Sequence, residues 1–331
     1  MVIVLDSAFG FVGDKDELGK LFLHLINILD KMLSLHFVKS YKIFKEKCQL
    51  HSKNVTASKK HLPSYVQQSL ESRHEDKEHS SFNILSVGSG TGEIDIEIAN
   101  IVAEELCSNG NWERMRILNR ALEPNKFSCA EYEANLSAMI ENSPASYEII
   151  PQTFSEYRNS GSNESVKFDL IHFIHSLYYV DLESAVWYCM VEKLKKYGRL
   201  VCLVGDKDGI TNKILTKQAK NKTMTKVNDD LLTSEGLEIS NEIVKFAKKY
   251  GWHYVIHSVN LQLDVTDVFF PDSVEGNLLL DFLTNTEKYR CNVSALELNE
   301  TLDYIKQLSF ERNGRRYGEK KDSLLILYKN E

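Results

Sequence analysis

Apolar residues recur at helical spacing early in the chain. Leu18, Leu21, Leu25, Ile28 and Leu29 form one stripe, and Leu33 and Phe37 continue it, so the first 80 residues read as helices. Pro63 suits a first helical turn and predicts a second helix starting there. Residues 71–81 are almost wholly charged or polar and read as a surface linker. The rhythm changes at Phe82. Residues 82–87 are a short apolar run ending in glycines, as a buried parallel strand does. The spacing then predicts a helix at 93–106, a strand at 115–122, a helix at 124–140 and strands at 147–150 and 168–174. A helix at 182–194 and a strand at 198–204 follow. Such alternation implies right-handed βαβ units, a parallel sheet and an α/β fold. Further on come a helix at 238–250, a strand at 253–259, helices at 278–283 and 296–305, and a closing strand at 323–328. The long interval before that last strand predicts an inserted subdomain.

Length and charge narrow this picture. With 331 residues, the chain fits one catalytic core with an added lobe. A net charge of -7 with no basic stripe weighs against nucleic acid as a partner. The six cysteines are scattered, none forms a CxxC pair and several lie in apolar runs, so reduced thiols in a reducing compartment are expected. The N-terminus lacks a basic n-region, and no apolar run reaches the ~20 residues that span a bilayer. A cytoplasmic monomer with no membrane partner is the expectation.

Three segments carry candidate chemistry. The first is Gly88-Ser89-Gly90-Thr91-Gly92-Glu93, which follows a strand and opens a helix. Glycine is needed where backbone turns tightly or lies against a ligand, and a helix N-terminus adds free N–H groups. Dinucleotide sites space these glycines as GxGxxG over a pyrophosphate. The tighter GxGxG seen here suits a ligand without one; a glycine-rich turn with no ligand is the plainer alternative. The second is Glu123, followed by Pro124, at the end of the second strand. An acid there can take both ribose hydroxyls, or else complement the dipole of a helix begun by Pro124. The third is the strand at 168–174, whose end brings His175, Tyr178 and Tyr179 to the same rim. His172 and His175 would point to opposite strand faces and no third ligand is evident, so no metal is expected.

With these segments in view, the chain resembles the histamine N-methyltransferases, a family of class I S-adenosylmethionine-dependent enzymes. The likeness runs in order from about Tyr41 to the end. It includes ILSVGSGTGEIDIEI from Ile84, the pair Glu123-Pro124, Ser155-Glu156-Tyr157, FDLIHFIHSLYYV from Phe168, GNLLLDFLT from Gly276, and SLLILY from Ser323. The resemblance implies a Rossmann-like seven-stranded methyltransferase sheet with a smaller, mainly helical lobe over the acceptor. The divisions would be 1–81 for the N-terminal helical segment, 82–260 for the cofactor core, 261–320 for the inserted subdomain and 321–331 for the last core strand. S-adenosylmethionine would lie against Gly88, Gly90, Gly92, Glu123 and Ile174, with Ser128 and Thr153 at further cofactor positions. Tyr41, Phe44, Tyr178 and Tyr179 would line the acceptor pocket. Where the family holds its amine with a glutamate, a glutamine and an asparagine, this chain places Asn54, His175 and Lys320. The tryptophans that the family carries after its fifth strand are missing between Asp206 and Gln218.

These residues imply methyl transfer to a nitrogen of a small imidazole or amine, with His175 and Tyr178 at the chemistry and His175 orienting the acceptor or relaying its proton. A lost carboxylate and a gained lysine at position 320 would favour a carboxylate-bearing acceptor, such as a histidine- or carnosine-like compound. A cofactor-binding protein without turnover and a nicotinamide-dependent oxidoreductase are the competing classes.

Overall fold

The computed structural model describes residues 34–72, 81–108, 115–139, 143–160, 165–222 and 238–329. The stripe from Leu18 to Leu33 and most of the expected linker lie outside them.

The central sheet is built from β1 (Ser81–Val87), β2 (Arg116–Leu122), β3 (Ala145–Ile150), β4 (Phe168–Ile174), β5 (Leu194–Gly205), β6 (His253–Asp264) and β8 (Arg315–Tyr328), in the order β3-β2-β1-β4-β5-β8-β6. β1 to β5 run parallel, and β8 enters antiparallel between β5 and β6. This is the Rossmann-like α/β sheet that the alternation and the resemblance imply. An eighth strand, β7 (Ser309–Arg312), pairs only with the start of β8. Its turn is Asn313-Gly314, with φ of 53° and 72°, the backbone that a two-residue hairpin demands.

Side chains alternate across the strands and feed two cores. Ile84, Leu170 and Val201 pack on one face with α3 (Glu93–Ser108) and α2 (Leu50–Glu71). Leu85, Ile171 and Cys202 pack on the other with α5 (Phe154–Asn159), α6 (Leu182–Tyr188) and α8 (Ile239–Tyr250). The remaining helices are α1 (Leu35–Lys47), α4 (Lys126–Ala138), α7 (Ile210–Lys222), α9 (Val274–Thr284), α10 (Tyr289–Asn292) and α11 (Ala295–Gln307). Among the described residues no helix is long and apolar enough to cross a membrane.

Several boundaries differ from expectation. Pro63 lies inside α2 rather than at its start, because the buried stripe of Leu50, Ala57, Leu62, Val66 and Leu70 runs through it. Burial of that stripe outweighs the ~3 kcal/mol cost of an interior proline. Asn125, not Pro124, opens α4: its side chain accepts from the backbone N–H of Phe127 and Ser128. The helix expected over 182–194 ends at Tyr188 in a π turn, Cys189–Lys193, and β5 begins at Leu194. β6 runs on to Asp264 and β8 starts at Arg315, so the expected divisions at 260 and 320 fall within paired strands. Ladder bonds continue through both points and leave no seam there.

α1 lies across the C-terminal end of the sheet. Phe37, Tyr41 and Phe44 share one of its faces and gather around Phe282 of α9, with Phe44 and Phe282 stacked at 4.3 Å. Lys47 pairs with Asp267 at 2.5 Å and Glu275 at 2.7 Å, and Lys45 with Glu93 at 2.9 Å. The Lys45–Glu93 pair joins α1 to the first turn of α3, directly after the glycine loop.

Candidate active site

The glycine loop is a backbone construction. Gly88, Gly90 and Gly92 all have positive φ, at 69°, 57° and 75°. A Cβ at Gly92 would lie 2.0 Å from the Tyr132 ring, whereas at Gly90 it would meet nothing within 4 Å. Gly92 is therefore packed from below, and Gly90 opens onto the space where a ligand would lie. Beneath the loop Asp95 accepts from Ser86 Oγ at 2.8 Å and from Tyr132 Oη at 3.0 Å. Burial, opposed by those hydrogen bonds, pushes its carboxyl up to about 7. Within the loop Ser89 Oγ is buried with no hydrogen-bond partner.

Glu123 closes this half. One carboxylate oxygen accepts from Gly90 N–H at 2.8 Å and the other from Asn125 N–H at 2.8 Å. Each oxygen keeps a further lone pair, enough for a pair of vicinal hydroxyls. Burial raises the Glu123 pKa against those two hydrogen bonds. Ile174 ends β4 half-buried, and Ser128 sits on the first turn of α4. The Thr153 hydroxyl is committed elsewhere: it closes a capping box with Glu156 at the start of α5. An open cradle at Gly90, an unpaired hydroxyl and a doubly available carboxylate fit the ribose and methionine parts of S-adenosylmethionine.

The acceptor half is built from side chains. His175 follows β4 with φ of 57°, a left-handed backbone held by its N–H to Leu203 O at 2.8 Å. Its Nδ1 lies 3.5 Å from Tyr178 Oη, and its Nε2 lies 3.5 Å from Asp322 Oδ2. Tyr178 Oη accepts from Gly205 N–H. Burial holds the His175 ring down to about 4, with Asp322 opposing and Lys320 assisting, so the imidazole is neutral at physiological pH. Tyr178 and Tyr41 are raised, first by burial and then by neighbours that include Asp322, and both are protonated. Tyr179 is pushed up to about 12 by burial and by the Glu123 carboxylate, which places it between the two halves.

Lys320 is paired within the chain: both oxygens of Asp322 accept from its ammonium. The two residues are i and i+2 on β8, so they share a face, and both are buried. Asn54 is buried in α2 with its Oδ1 unpartnered. Sequence reasoning also missed Asp322 and Phe282. Phe282 sits inside the quoted GNLLLDFLT segment. Asp322 lies beside the expected last strand, and the two-residue offset from Lys320 hid it.

No family model matches the chain. It is similar to histamine N-methyltransferase of Danio rerio, 27% identical over 240 residues, which covers 71% of this chain and 78% of that one. It is also 27% identical to histamine N-methyltransferase A of Xenopus laevis, over 81% of this chain and 86% of that one. Carnosine N-methyltransferase 2 of Gallus gallus is 28% identical over 63% of this chain and 62% of its own. Among solved structures, loganic acid methyltransferase with SAH aligns over 85% of this chain and 95% of that one at 11% identity and a TM-score of 0.48. At that distance the strand order above, not the neighbour, defines the fold.

Proposed function

We propose that this chain, a relative of the histamine N-methyltransferases, transfers the sulfonium methyl of S-adenosylmethionine to a neutral nitrogen of a small imidazole or amine. The observation that carries the cofactor side is the open loop at Gly90 bridged to the Glu123 carboxylate. When bound there, the cofactor supplies an already activated methyl group. The protein has to align the acceptor in line and exclude water. A nitrogen–carbon bond forms as the carbon–sulfur bond breaks and leaves a cation: an imidazole then sheds the proton of its other ring nitrogen, and a primary or secondary amine sheds one from the methylated nitrogen.

The acceptor needs a lone pair, so a neutral imidazole qualifies and a protonated amine does not. The low pKa of His175 favours one of two roles for it. A ring held near 4 is a poor store for a proton shed by an imidazole of ordinary pKa about 6.5. The difference is worth about 3 kcal/mol uphill. His175 therefore orients the acceptor, with Tyr178 beside it, and the proton leaves to solvent. Tyr41, Phe44 and Phe282 supply the apolar wall, and α1 is the cover.

Histamine-like and carnosine-like acceptors both follow from the relatives' names. The Lys320–Asp322 pairing removes the charge argument for a free carboxylate on the acceptor. The six thiols are free, which fits a reducing compartment. The test is transfer of labelled methyl from the cofactor to a panel of imidazoles and primary, secondary and tertiary amines. Labelled product with an imidazole or amine is the expected result. Cofactor binding with no product from any of them would leave a binding protein without turnover.

A further inference from the structure

We propose that Asp322 is the positioning residue of the acceptor pocket: held by Lys320, its carboxylate fixes the His175 ring with the proton on Nε2 and leaves Nδ1 a lone pair, so the pocket selects a neutral acceptor bearing a ring N–H as well as a nucleophilic nitrogen. The inference rests on the methyl-transfer reading above and adds the acceptor class.

A carboxylate can only accept, and Asp322 Oδ2 lies 3.5 Å from Nε2, which makes no hydrogen bond, so the carboxylate acts on that nitrogen through its charge and favours the ring proton there. On the other side Tyr178 Oη already accepts from Gly205 N–H, so its own hydrogen is the one left to face Nδ1. Both 3.5 Å separations are longer than strong hydrogen bonds, so a ligand N–H can take over the Nδ1 lone pair. An azole carries such a donor opposite its nucleophilic lone pair.

Lys320 limits what Asp322 does. An unpaired buried carboxylate would draw a second proton onto His175 and cap Nδ1. With the ammonium on both its oxygens, Asp322 directs the ring without charging it. The other groups around Asp322 are neutral. Tyr178 comes from the turn after β4, and Tyr41 and Cys48 come from α1 and its end; burial keeps each of the three protonated. Asp322 acts through His175, so it is a positioning residue rather than a catalytic one.

The experiment is a long-range proton–nitrogen spectrum of the full-length protein with ring-labelled histidine at pH 7, with H175Q to assign the signal. The wild type should show His175 as the Nε2–H tautomer. K320M/D322L removes both charges together and keeps the site apolar, which preserves the fold. In it the Nε2–H preference should be lost and kcat/KM for an imidazole acceptor should fall by up to about 100-fold, the scale of a misaligned acceptor. Cofactor affinity should not change. D322N retains an acceptor oxygen and should recover part of both the tautomer and the rate. An Nδ1–H tautomer in the wild type, or an unchanged tautomer in K320M/D322L, would overturn the proposal. The expected tautomer in a protein that methylates no acceptor would instead overturn the methyl-transfer reading and leave the Asp322–His175 placement standing.

Discussion

The two halves of the site are built from different materials. The cofactor half is main chain: three positive-φ glycines, a strand end and two backbone N–H groups on one carboxylate. The acceptor half is side chains drawn from α1, the end of β4, α9 and β8, joined by aromatic stacking and a buried ion pair. A backbone site follows from a few consecutive residues and tolerates drift in everything around it. A side-chain site depends on distant elements arriving together, so a two-residue offset on one strand changes its chemistry.

The sharpest way to break this contrast is the ion pair. K320M alone strands a buried carboxylate and should cost about 3–5 kcal/mol, while K320M/D322L should melt close to the wild type. Thermal unfolding of the set checks it, and additive losses would mean that the two residues do not act as a unit. Next comes the glycine loop. G92A drives a Cβ into Tyr132 at a φ of 75° and should cost about 2–4 kcal/mol, from overpacking plus left-handed strain. G90A carries the strain alone, about 1–2 kcal/mol, but should lose cofactor affinity because its methyl enters the open cradle. Denaturant melts and cofactor titration of the two variants separate packing from binding.

Acid sharpens the comparison further. His172 is held down to about 3 and His175 to about 4, both by burial, and the stacked pair His61 and His257 is also lowered from 6.5. A base with a depressed folded pKa leaves the unfolded chain binding more protons. Stability should therefore fall as pH drops below 6.5, by at most about 1.4 kcal/mol per pH unit for each group. Asp95, raised to about 7, works in the opposite sense: it adds stability at low pH and loses it as pH rises through 7. D95N should therefore steepen the acid-side loss, measured as denaturant stability against pH. The smallest effect is expected at the α1 clasp. The Lys45–Glu93 pair is partly exposed, and K45A should cost about 0.2–1 kcal/mol in denaturant stability, a difference that shrinks as salt screens the pair.

These halves also differ in how far the sequence revealed them. Gly88 to Gly92 and Glu123 were legible because each sits in a motif of adjacent residues whose spacing reflects backbone geometry. The sheet was legible because buried parallel strands are continuous apolar runs, as in residues 168–174. The Asn313-Gly314 hairpin was missed although its turn pair is a strong local signal; the charged residues around it hid the strand alternation. Pro63 misled because local propensity yields to a buried stripe spanning six turns of one helix. The Lys320–Asp322–His175 arrangement was not legible, because only the pairing of β8 with β5 brings those side chains beside the end of β4.

Calorimetric titration of S-adenosylmethionine into the wild type and E123A asks whether Glu123 grips the cofactor. Saturable one-to-one binding is expected, weakened in E123A by about 1.5–3 kcal/mol, or roughly 10- to 150-fold, with the fold intact. Equal affinity in the two proteins, or no heat in the wild type at millimolar cofactor, would contradict it.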